Sequence, residues 1–185
     1  RNVGAEAVLL FVQCRRRPAP AMALASLYAS PILCWPNTTG SHLATKTMDG
    51  DFSPKLSKEL KGKAAELYAL IRAPSPSSGR QLASQLRTLG TLFSDDEAVL
   101  EHVWEARNHI SRLALALENG PANGEPDWEA VFKSAASYQE PAATKGSYYL
   151  EGISVLRAGE TPLRKYRKLI ILGFNDGKYP RPSSG

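Results

Sequence analysis

Two carboxylates stand where they could do chemistry, Glu160 and Asp176. Glu160 lies in Arg157-Ala-Gly-Glu-Thr-Pro-Leu-Arg-Lys-Tyr166 and Asp176 in Gly173-Phe-Asn-Asp-Gly177, each shortly after an apolar run. If both runs are strands, the pair could hold a divalent metal or share acid–base work at two strand ends, where α/β sheets carry their ligands. No third ligand accompanies them, and the same glycines and Asn-Asp also supply a tight turn after a buried strand. Arg164, Lys165, Arg167 and Lys168 form the other chemical feature, with only Glu160 nearby to offset them. Such a cluster suits phosphate-backbone contact or a solvated loop face.

Other catalytic patterns are missing. There is no phosphate loop, since Gly62-Lys63 lacks the earlier glycine, and no nucleophile sits in a G-x-S-x-G turn. His102 and His109 lie about two turns apart on one expected helix without an acidic or cysteine partner, and read as structural. His42 falls in an expected loop. Cys14 and Cys34 have no zinc or disulfide spacing and read as free thiols of a reducing cytoplasm. No cofactor and no metal site are therefore expected.

The elements that must position these residues change character along the chain. Helices are expected at Ala5–Gln13 and at Pro20–Ala29, with a polar loop from Asn37 to Gly50. Ser53-Pro54 reads as a helix start, serine as cap and proline in the first turn, followed by a stripe of Leu56, Leu60, Ala64, Leu67 and Ile71. Pro74 to Gly79 is a linker, and Gln81–Leu92 a further helix. Ser94-Asp95-Asp96-Glu97 reads as a capping box for a helix carrying Val99, Val103, Ala106, Ile110, Leu113 and Leu117, ended by Asn119-Gly120-Pro121. Pro126-Asp127-Trp128 opens a shorter helix to about Ser137. After Gly146, Ser147–Val155 and Lys168–Leu172 read as strands, the second buried on both faces as in a parallel sheet. The expected fold is α/β and mostly helical, with residues 1–140 a helical segment and 141–185 a strand–loop–strand end.

With 43% hydrophobic and 22% charged residues, the composition suits a globular domain, and no apolar run is long enough to cross a membrane. Arg15-Arg16-Arg17 before Ala21–Leu33 imitates a signal peptide, but Pro18, Pro20 and Pro31 interrupt it. Asn37-Thr38-Thr39 fits a glycosylation sequon with no secretion signal to support it. A net charge of +5 is compatible with an anionic partner without requiring one. The chain begins at Arg1 and stops just after its last motif, and so reads as a fragment of a longer cytoplasmic protein.

The stretch Gly152-Ile-Ser-Val-Leu-Arg-Ala-Gly-Glu-Thr-Pro-Leu-Arg-Lys-Tyr-Arg-Lys-Leu-Ile-Ile-Leu-Gly-Phe-Asn-Asp-Gly-Lys-Tyr-Pro180 resembles the second motor-domain segment of UvrD-type superfamily I helicases. Within that group it is most similar to the helicase-like half of AddB/RexB-type subunits, the B subunits of bacterial helicase–nuclease complexes that process DNA double-strand breaks. There a glutamate-containing loop replaces the active helicase motif and the tail reads roughly L-N-E-G-x-[FYW]-P. Glu160-Thr161 and Gly173-Phe-Asn-Asp-Gly-Lys-Tyr-Pro180 fall at matching places, and Leu27-Tyr-Ala-Ser-Pro-Ile-Leu33 resembles an upstream helix end. The resemblance implies a degenerate RecA-like domain in which Glu160, Gly173, Asn175, Asp176, Gly177 and Pro180 are architectural. It also implies DNA near Arg164 and Lys165, an A subunit as partner, and a nuclease domain beyond Gly185. Two positions depart from the pattern. Gly159 and Pro162-Leu163 stand where active helicases have a histidine and a lysine-glycine pair, which argues against ATP-driven motor chemistry. Pro162 also replaces the basic residue that often follows the glutamate-containing dipeptide.

Three functions compete at this point: a non-catalytic helicase-like, DNA-binding fragment of a repair nuclease subunit; a helical protein-interaction module; and a metal-dependent enzyme using Asp176 and Glu160.

Overall fold

The computed structural model describes residues 2–54, 56, 59–121 and 123–137, and the backbone of 148–150 and 153–155. The chain divides into two compact units, Arg1–Gln139 and Glu140–Gly185. The first is helical throughout: α1 Val3–Arg15, α2 Ala21–Tyr28, α3 Thr39–Met48, α4 Lys63–Arg72, α5 Gly79–Thr91, a single 3-10 turn Glu97–Val99, α6 Leu100–Glu118 and α7 Trp128–Ala136.

The core assembles around α6, which packs against α5, α1 and α7, while α2 joins α1 to α3. Its inner face carries Val103, Ala106, Ile110 and Leu113, the stripe expected from helical spacing. Helix α1 buries Val8, Phe11, Val12 and Cys14 and is enclosed on several sides. Each fully buried large apolar side chain of this kind stabilises the fold by about 1.5–3 kcal/mol. Gly4 lets α1 lie directly on α6, because a Cβ there would run into the His102 carbonyl oxygen and the Ala106 amide. Asn2 caps α1, its Oδ1 accepting from the Ala5 amide at 2.8 Å. Asp127 caps α7 in the same way from Ala130 at 3.2 Å, and Ser78 caps α5 from Gln81 at 3.2 Å.

Three expectations about helices need correction. Asn37–Gly50 is no loop, because α3 occupies most of it. Polar Ser, Thr and His masked the helix, and its signals are spatial. Gly40 is buried where a Cβ would meet the Tyr28 carbonyl oxygen and the Trp35 ring, and Leu43 is fully buried. Ser53-Pro54 starts no helix: α4 begins only at Lys63, with Gly62 as its N-cap at φ 56°. Leu56 still packs against the core without being helical, and Ala64, Leu67 and Ile71 are buried as expected. Finally, Ser94 is not the cap of α6. Its Oγ accepts from the Asp96 amide at 3.2 Å, and Asp96 Oδ1 accepts from Ala98 at 3.0 Å to open the 3-10 turn that leads into α6.

In the second unit, Tyr148–Leu150 (β1) and Ile153–Val155 (β2) pair antiparallel, Leu150 opposite Ile153. The single strand expected over Ser147–Val155 is thus a hairpin, with Glu151-Gly152 between its arms in sequence. The strand expected at Lys168–Leu172 lies outside the described residues.

Candidate functional surfaces

The residues singled out from sequence as DNA contacts, Arg164, Lys165, Arg167 and Lys168, lie outside the described residues, as do Glu160, Gly173, Asn175, Asp176, Gly177 and Pro180. Upstream, Leu27-Tyr-Ala-Ser-Pro-Ile-Leu33 does end a helix. The Ala29 amide donates to the Ala25 carbonyl and the Ser30 amide to that of Leu27, both at 3.0 Å. Ile32 and Leu33 then turn into the core, where Leu33 forms an isolated antiparallel bridge with Phe93.

The most elaborate polar site in the helical unit was not foreseen. Arg15 is completely buried at the end of α1, against the C-terminus of α4. Its Nε donates to Gln85 Oε1 at 3.1 Å, and Nη1 to the carbonyls of Leu70 at 3.0 Å and Ile71 at 2.9 Å. Nη2 donates to the Ala73 carbonyl at 2.5 Å and to that of Pro74. All five guanidinium hydrogens are therefore spent on neutral acceptors. Arg17 adds contacts to Ile71 and Ala73 at 3.0 and 3.1 Å, and Ser75 Oγ returns a bond to the Arg15 carbonyl at 3.0 Å. The negative end of the α4 dipole and its orphan carbonyls favour these cations. Burial, with a smaller push from Arg17, lowers the Arg15 pKa to about 10, so it stays charged at neutral pH. With no donor left over, Arg15 is a structural clamp rather than an anion site.

Beside it, an open groove of about 790 Å³ runs past Leu10, Gln13, Arg16, Met22 and Phe132. Its lining mixes these apolar side chains with Glu6, Ser26 and Arg17. A second cluster stacks Tyr28 against Trp35 at 5.8 Å and Tyr68 at 6.5 Å, with Arg72 over the Tyr68 ring at 5.0 Å. Arg72 also donates to Tyr68 Oη at 2.6 Å and to Ser53 Oγ at 2.8 Å. Burial raises the Tyr28 phenol above its ordinary value, the approach of Tyr68 adding to the effect, so Tyr28 stays neutral. The Trp35 indole N–H is buried without a hydrogen-bond partner.

One histidine has the acidic partner that the sequence did not suggest, and another is structural as expected. His102 Nδ1 is 3.3 Å from Glu105 Oε2 on the same helix. His109 is 4% exposed and joins α6 to α7: its Nε2 lies 2.9 Å from the Ala135 carbonyl and must be the protonated nitrogen of that pair. His42 sits on helix α3 rather than in a loop, and is exposed. Cys14 is buried and Cys34 partly so, both free. Among the described residues no group of three or more His, Cys, Asp and Glu is arranged to hold a metal ion, and no helix is long and apolar enough to cross a membrane.

The outward face of α6 is chemically unlike the rest of the surface. Leu100, Trp104 and Leu115 are 46%, 60% and 56% exposed. At about 3.6 residues per turn these positions fall on one side of the helix. Sequence periodicity selects the buried stripe and passes over this second one, which shows only once the inner face is known. Compared with models of protein families, with curated proteins and with solved structures, the chain matches none.

Proposed function

We propose that the chain is a non-catalytic, helicase-like, DNA-binding part of a helicase–nuclease subunit that processes DNA double-strand breaks. The observation that carries the reading is the ordered pair Glu160-Thr161 and Gly173-Phe-Asn-Asp-Gly-Lys-Tyr-Pro180 in one segment. Charge distribution supports it. Residues 140–185 hold eight Lys and Arg against four Asp and Glu, whereas residues 1–139 hold fifteen against fourteen. The excess positive charge is concentrated in the segment with the family-like motif, as phosphate binding favours. In this reading the segment is a degenerate RecA-like motor half without ATP chemistry, Arg164 and Lys165 reach phosphates, and an A subunit is the partner.

The test is the double variant Arg164→Ala with Lys165→Ala, titrated with single-stranded and duplex DNA at several salt concentrations. Each lost phosphate contact lowers the slope of log K against log salt by about 0.9 on duplex DNA, with no change in sequence preference. An unchanged affinity and slope in the folded variant would sink the DNA assignment.

The α6 face favours a second reading, a helical protein-interaction module. Three large apolar side chains aligned on one helix side invite a protein partner more than a phosphate backbone.

A further inference from the structure

We draw no further inference here: the strongest candidate, the exposed apolar stripe of Leu100, Trp104 and Leu115 on the outward face of α6, is flanked by exposed acidic Glu97 and Glu101 and by exposed basic Arg107 and Arg112 alike, and nothing in the structure shows what covers it.

Discussion

Arg15 and Gln85 meet at 3.1 Å, guanidinium Nε to amide Oε1, and that bond completes a cation held wholly by neutral oxygens. The residues lie on α1 and α5, and the carbonyls that take the other four hydrogens belong to the end of α4 and the turn after it. One side chain therefore fastens three helices. Replacing it with an apolar residue of similar length, Arg15→Met, orphans the Pro74 carbonyl and the Gln85 amide oxygen, while Ile71 and Ala73 keep Arg17 and Leu70 keeps the Ala73 amide. At about 1–3 kcal/mol per orphaned acceptor, the variant loses about 2–6 kcal/mol in urea denaturation. Gln85→Ala removes one neutral acceptor and costs less. Equal stability of Arg15→Met and the parent chain would show that the clamp contributes nothing.

Gly4→Ala places a methyl group against the His102 carbonyl and the Ala106 amide. Backbone does not yield as a side chain tip does, so α1 must lift from α6. The expected loss is about 1–3 kcal/mol, read as a lower melting temperature with retained helical circular dichroism. Gly50→Ala probes positive φ alone, because nothing stands within 4 Å of that position.

The start of α6 offers a contrast between neighbours. Asp96→Ala removes the carboxylate that accepts from Ala98 and costs about 1 kcal/mol. Ser94→Ala removes only a bond to the Asp96 amide and costs less. The reverse order in chemical denaturation would restore Ser94 as the cap.

Stability depends on pH through His109. Burial first, and then Arg112, hold its pKa below the ordinary histidine value, while the bond to Ala135 opposes them. The folded chain thus binds fewer protons than the unfolded one just below pH 6.5. The stability from neutral His109 is fully present above about pH 6.5 and is lost as pH falls from there through the lowered folded pKa. Melting curves between pH 7.5 and pH 5 should decline, and His109→Gln should flatten this part of the decline.

Burial also raises the Cys14 thiol to about 12, against the pull of Arg17 and Arg15, so almost no thiolate exists at pH 8. Cys34 is raised as well, but is partly exposed. A thiol reagent at pH 8 should label Cys34 first and reach Cys14 only on unfolding, as mass spectrometry of the labelled peptides can show.

The helices were legible where sequence and environment agree. Asp127 after Pro126 marks the start of α7, and Val103, Ala106, Ile110 and Leu113 mark the inner side of α6. Helix α3 was not, because its burial rests on two close contacts to Gly40 from Tyr28 and Trp35 rather than on an apolar stripe. Arg15 read as one of three adjacent arginines, since four of its five acceptors are main-chain oxygens 55 to 59 positions away that leave no mark on residue type. The exposed α6 stripe was hidden for the opposite reason: leucine and tryptophan on a helix read as core until the true core is seen.

The Gly4 contact also dictates an order of events during synthesis. Helix α1 leaves the ribosome before α6, and the backbone it must lie against, at His102 and Ala106, is made about 100 residues later. At roughly 5–20 residues per second, α1 waits about 5–20 s for its partner. For that interval Val8, Phe11 and Val12 have no α6 to cover them. The nascent chain is therefore most exposed to chaperones and to aggregation before α6 emerges, and a ribosome stalled within α5 would display this surface the longest.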